Sequence, residues 1–228
     1  MRIKQNIKTK HKDYTFLYKL DTKDQLTREA FKFCLREIER FNTDEIETII
    51  IKECDKKGNI YSGFCSYPFE GKRKYKIMCK IEQNAVFPLE RYENRKTIAA
   101  KSKKHAQKIA REQKKRYSKK TSFFPSESYG KSRLRIQQMV KYHGPDELLV
   151  TIFGHEFFHY LRFSRQVKGA NNEVNADLFG KRLRTKWKKH KKEKKVKKAF
   201  FFFLFSFFSF LFFFFFFFFF FFFFFFFF

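Results

Sequence analysis

Histidine is scarce in this chain, six among 228 residues, and acids are few: 23 Asp and Glu stand against 51 Lys and Arg. The four cysteines, Cys34, Cys54, Cys65 and Cys79, form no Cys-x-x-Cys pair, which argues against a cysteine-built zinc site. Cys54, Cys65 and Cys79 sit in strand-like, partly apolar runs, so buried free thiols are expected rather than disulfides. The opening Met1-Arg2-Ile3-Lys4-Gln5-Asn6 leads into a polar, basic stretch without the apolar core of a secretory signal. Together these absences predict a cytoplasmic protein. The shortage of acids leaves a net charge of +28, which predicts affinity for polyanions such as nucleic acid, anionic lipid or acidic protein.

Two of the rare histidines stand together. Residues 155–159 read His-Glu-Phe-Phe-His, and the scarcer the residue, the less such a match owes to chance. On a helix, His155 and His159 project from one face, one turn apart, where two imidazoles can reach one ion. Glu156 is rotated by about 100° from His155, so it can touch a metal-bound water without ligating the metal. Gly144-Pro145-Asp146-Glu147 makes a good helix start, with proline at the first position and acids at the positive end. Leu149, Val150, Phe153, Phe157 and Leu161 recur at helical spacing on the side away from the histidines.

A catalytic zinc takes three protein ligands and leaves one position for water. Glu173 is the candidate third ligand, against the alternative of a solvent-facing carboxylate. Asp177 lies four residues on and shares its helical face, so it can accept the second N–H of a liganding histidine. Ala170, Ala176 and Gly180 would let this second helix approach the first closely. Tyr142, His143 and Arg165 are near in sequence, but nothing fixes their direction, and a structural or solvent-exposed role is expected for each.

Along the rest of the chain, residues 22–41 read as an amphipathic helix on Leu26, Ala30, Phe31, Cys34, Leu35 and Ile38. Residues 45–54, 60–67 and 74–82 read as three strands of an antiparallel meander, with a turn at 55–59. The basic stretch 95–120, inside a wider insertion at 95–131, suits a solvated helix or a mobile insertion, with a nucleic-acid contact as the alternative. Residues 121–131, with Ser, Pro and Gly, read as loop; 134–140 suits a short strand, although Gln137, Gln138 and Met139 fit a helix equally. Residues 184–198 are a Lys-rich linker. Residues 200–228 are Phe apart from Leu204, Ser206, Ser209 and Leu211. As a helix that tract would run about 43 Å, enough for a membrane anchor with the basic run holding the rest in the cytoplasm. A run of one residue type also suits translation through a homopolymer tract.

The pattern His155-Glu156-x-x-His159, then Glu173-x-x-Ala176-Asp177-x-x-Gly180-x-x-Leu183, resembles the gluzincin metallopeptidases. Its Glu-x-x-Ala-Asp part looks most like HtpX-like and minigluzincin peptidases, and Glu173–Gly180 is similar to a segment of ImmA/IrrE-type peptidases. The resemblance covers Asp146–Leu183. It implies His155, His159 and Glu173 as zinc ligands, Glu156 as general base, and a protein or peptide substrate. The interval from His159 to Glu173 is shorter than is usual in these families, so a tight connection is expected. The third histidine of SprT-like or metzincin proteins is missing: none follows His159 until His190. Zincin-type peptidases place an edge strand before the metal helix, and an extended substrate pairs with it; residues 134–140 are the candidate.

The expected architecture is therefore α+β and zincin-like over residues 1–198: a small antiparallel sheet, an HExxH helix and a second ligand-bearing helix. A separate low-complexity tail follows at 199–228. The expected function is zinc-dependent peptide hydrolysis. The alternative is a basic nucleic-acid-binding protein with a structural or decayed zinc site.

Overall fold

The computed structural model describes residues 3–8, 15–20, 25–53, 61–66, 74–81, 85–116, 120–128 and 131–227. The elements run β1 (Ile3–Lys8), β2 (Thr15–Leu20), α1 (Gln25–Ile38), β3 (Ile46–Glu53), β4 (Tyr61–Ser66), β5 (Tyr75–Ile81) and β6 (Leu89–Ala100). Then come α2 (Lys103–Lys114), β7 (Thr121–Ser128), β8 (Lys131–Tyr142), α3 (Pro145–Phe163) and α4 (Glu173–Phe227). The chain divides into two compact units, Met1–Trp187 and Lys188–Phe228. The turn predicted at 55–59 and Cys54 lie outside the described residues.

The first unit is α+β, as expected, but its main sheet is mixed. Five strands lie in the order β1-β2-β3-β5-β4. β2 pairs with β3, and β3 with β5, in parallel; β1–β2 and β4–β5 are antiparallel. The predicted antiparallel meander is thus corrected: β4 does not sit between its sequence neighbours but forms the outer edge. α1 carries the chain from β2 to β3, and a helical crossover returns the next strand parallel, while β5, with Tyr75, Ile77, Cys79 and Ile81 all buried, takes the place beside β3 and leaves β4, with Phe64 exposed, at the edge. β1 and β2 form in what reads as a polar, basic stretch.

The predicted alternation on β5 holds: Tyr75, Ile77, Cys79 and Ile81 are buried. With Ile49 and Ile51 of β3 they form a floor for Phe31, Cys34 and Ile38 of α1 and for Leu149, Phe153 and Phe157 of α3. Each such side chain removed from water contributes about 1.5–3 kcal/mol. α3 packs on α1, β4 and β5, so the motif helix is fixed at the centre of the unit.

A second sheet has the order β6-β8-β7, antiparallel throughout. α2 covers one of its faces, burying Ala106 and Ala110 against Leu134 and Ile136. The basic stretch 95–120 is thus the end of a strand followed by a helix with one buried, small-residue side. Residues 121–131, predicted as loop, contain strand β7. Pro125 is tolerated there because β7 is an edge, where a missing N–H costs no ladder bond.

The second unit is helical to Phe227, and the phenylalanines of residues 200–223, with Phe225, are exposed. Rings one turn apart stack, as at Phe214–Phe218 with centroids 6.5 Å apart and Phe218–Phe222 at 6.3 Å. By length and composition this helix is long and apolar enough to cross a membrane.

Candidate metal centre

α3 begins as its sequence suggests, with Pro145 in the first turn and Asp146 and Glu147 behind it. Both acids are buried. Asp146 has a partner beyond the helix dipole, the Trp187 indole of α4, which donates to it at 2.6 Å. The crossing of α3 and α4 is glycine to glycine. A Cβ on Gly154 would lie 2.8 Å from Gly180 Cα, and one on Gly180 would lie 2.5 Å from the Thr151 carbonyl oxygen. Gly180 does what the sequence suggests, and Ala176 is fully buried. Ala170 does not share that role: it precedes α4 and is exposed.

This close approach brings the two halves of the motif together. Glu173 Oε2 lies 3.1 Å from His155 Nε2, and Glu173 Oε1 lies 3.7 Å from His159 Nε2. The two Nε2 atoms are 3.2 Å apart. All three ligand atoms fall within 4.8 Å of one another, a grouping able to hold a metal ion. The histidines are half-buried, while the Glu173 side chain is 63% exposed, so the grouping opens to solvent on the glutamate side.

The far nitrogen of each imidazole is also held. His155 Nδ1 lies 2.8 Å from Asp177 Oδ1, and His159 Nδ1 lies 2.8 Å from Asn171 Oδ1. Asp177 was legible from its spacing. Asn171 was not singled out, although it lies in the same short segment as Glu173. Asp177 is itself fixed by β6: the Asn94 backbone N–H and side-chain amide donate to Oδ2 at 2.7 and 2.9 Å, and Gln137 of β8 donates to the Asn94 carbonyl oxygen at 2.9 Å. A line of hydrogen bonds therefore runs from the second sheet to His155.

Burial opposes charge on His155, but its bonds to Asp177 and Glu173 outweigh that and raise its pKa to about 9. The hydrogen bond from His155 holds Glu173 below the usual carboxylate range. Burial likewise opposes charge on Asp177, yet the same histidine keeps it low.

Glu156 is buried and points to β4. A Cβ at Gly63 would lie 2.6 Å from Glu156 Oε1 and equally close to Ile152, so β4 can lie this near only with glycine there. The Cys65 backbone N–H donates to Glu156. Burial raises the Glu156 pKa to about 7, with Glu173 adding to the effect and His155 opposing it. The edge strand beside Glu156 is thus β4, not 134–140. That segment belongs to β8, the central strand of its sheet, where both edges are already paired.

Tyr142, His143 and Arg165 do not join the grouping. Tyr142 is buried and donates its hydroxyl to Glu93, which also accepts from Arg184 of α4 at 2.9 Å. The Arg184 guanidinium lies over the Tyr142 ring, 4.8 Å from its centroid. His143 and Arg165 are exposed.

No family model, no curated protein and no solved structure matches this chain. The resemblance to gluzincins therefore rests on the motif residues alone.

Proposed function

We propose that this protein is a zinc-dependent peptidase of gluzincin type. The observation that carries the reading is the convergence of His155, His159 and Glu173 from two helices, with Glu156 beside them on the first. Their separations of 3.1, 3.2 and 3.7 Å suit zinc. Bonds of about 2.0–2.1 Å in a tetrahedral site put neighbouring ligand atoms roughly 3.3–3.4 Å apart. Two neutral imidazoles and one carboxylate are a ligand set of catalytic zinc, which keeps its fourth position for water.

When bound, zinc would polarise the scissile carbonyl and lower the pKa of a water to about 7. The rest of the work falls to the chain. Glu156, with a pKa near neutrality, is suited to take the proton from the attacking water and pass it to the leaving amine. The Cys65 N–H and the absent Cβ at Gly63 hold that carboxylate in place. Asp177 and Asn171 keep the Nδ1 protons of His155 and His159 turned away from the metal side. β4 is an edge strand beside Glu156, a suitable template for an extended peptide to pair with. The phenylalanine helix has the length and composition of a membrane anchor, which would tether the peptidase unit to a bilayer.

The test is Glu156→Gln in the full chain, kept soluble in a non-ionic detergent. The variant should keep its zinc and its melting temperature and lose peptide hydrolysis by several orders of magnitude, on the order of 10³-fold or more. Wild-type protein that binds zinc but cleaves no peptide or unfolded protein would turn the reading towards a structural zinc site.

A further inference from the structure

The second sheet has one face covered by α2; its other face meets α4 at Asn94, whose side chain bonds Asp177, and exposes Lys131, Arg133, Arg135, Phe124 and Tyr92. Directly paired residues of an antiparallel sheet share a face, so the register defines this open face. Arg133 lies between Ala99 of β6 and Ser126 of β7, and Arg135 lies between Thr97 and Phe124. Two residues further along β8, Gln137 faces Asn94 and Ser122, and beyond it Met139 faces Tyr92. Lys131 stands at the near end. The only acid on this register is Glu90, opposite Lys141 at the far end.

Lys131, Arg133 and Arg135 are exposed. So are two aromatic rings, Phe124 at 47% and Tyr92 at 42%. Outside the phenylalanine helix, these are two of very few large exposed side chains of apolar type. Arg135 and Met139 mark their positions, four residues apart along β8 and on the strands either side of it, so the two positions stand roughly 16 Å apart across the face. Water-exposed aromatics set among cations, hydroxyls and small side chains make a poor protein-docking patch, since the apolar part is not continuous. They make a good platform for unpaired bases: rings stack on base faces while arginines meet the phosphates. A duplex hides its base faces and offers the rings nothing.

We infer that the open face of the β6-β8-β7 sheet binds single-stranded nucleic acid, with Phe124 and Tyr92 stacking on bases and Lys131, Arg133 and Arg135 contacting phosphates. α2, the helix of the basic stretch 95–120, covers the opposite face, so its lysines are not part of this surface. The stacking and phosphate-contacting residues are neither metal ligands nor part of the Gln137–Asn94 line that supports Asp177, so the inference does not rest on the peptidase reading.

Fluorescence anisotropy of the full chain in non-ionic detergent tests it, with a labelled single strand of about 12 nucleotides, a duplex of equal length, and polyglutamate as competitor. The single strand should bind more tightly than the duplex, and polyglutamate should compete weakly. Phe124→Ala and Tyr92→Ala should each weaken single-strand binding roughly 5- to 150-fold and leave the salt slope unchanged. Arg133→Gln with Arg135→Gln should weaken it and reduce the slope of log affinity against log salt by about 1.4. Lys104→Gln with Lys108→Gln, on the exposed side of α2, removes equal charge elsewhere and should matter little. Both aromatics are exposed, so their variants should melt like wild type. Equal binding of single strand, duplex and polyglutamate, unchanged aromatic variants, or a control pair as damaging as the arginine pair would each overturn the inference and leave diffuse charge as the explanation.

Discussion

Asp177 shows how much a single carboxylate does at this centre. One oxygen meets His155, and the other takes two hydrogen bonds from Asn94. Asp177→Asn should weaken zinc binding about 10–100-fold with the fold intact, because the imidazole loses its charged acceptor. Asn94→Ala removes one of the two bonds that aim that carboxylate, and should weaken zinc binding in the same direction by a smaller factor. Zinc titration of the purified variants against a competing chelator decides both. Unchanged dissociation constants would move Asp177 out of the metal's support. The contrast between these two residues also marks what a sequence can disclose. His155, Glu156 and His159, and likewise Glu173 and Asp177, sit within a turn or so of each other, so helical spacing alone aligns them. Asn94, Gln137 and Gly63 reach the centre from strands far away in the chain, and only the assembled sheets bring them there.

At the scale of elements, the crossing of α3 and α4 decides whether the two halves of the motif meet. Gly180→Ala puts a methyl group 2.5 Å from the Thr151 carbonyl oxygen, a backbone atom that can yield only if the helices separate. The expected cost is about 1–3 kcal/mol of stability. Zinc affinity should fall with it, because Glu173 and Asp177 ride on the moved helix. Denaturant melts with and without zinc give both quantities. A variant with unchanged stability and affinity would show that the glycine contact sets nothing. Helices were the legible part of this fold: α1 and α3 declare themselves by apolar residues at helical spacing. Strand identity was legible too for β3, β4 and β5, but their order was not. The mixed sheet depends on a crossover through α1, and nothing in the local pattern of β4 distinguishes an edge from a middle strand. β7 was hidden by Pro125 and its serines, which an edge strand tolerates and a central one does not.

At the scale of the whole molecule, the chain divides into two units. Met1–Trp187 carries every residue of the metal centre, and Lys188–Phe228 carries the phenylalanine helix. Three anchors tie the first turns of α4 into the first unit. Trp187 donates to Asp146 and packs on Phe33 at a centroid distance of 5.3 Å, Arg184 pairs with Glu93, and Lys186 pairs with Glu37 at 2.7 Å. The ligand-bearing turn at Glu173 therefore sits on a helix fixed at both α3 and the second sheet. Such a frame should hold one metal ion and no more, since one complete donor set is present among the described residues. The most direct test is the zinc content of the full chain in detergent, measured by mass spectrometry after exhaustive dialysis. The expected result is about one zinc per chain in wild type and Glu156→Gln, and almost none in His155→Ala, His159→Ala or Glu173→Ala. Wild-type protein without zinc, or Glu173→Ala protein that keeps a full equivalent, would contradict the account.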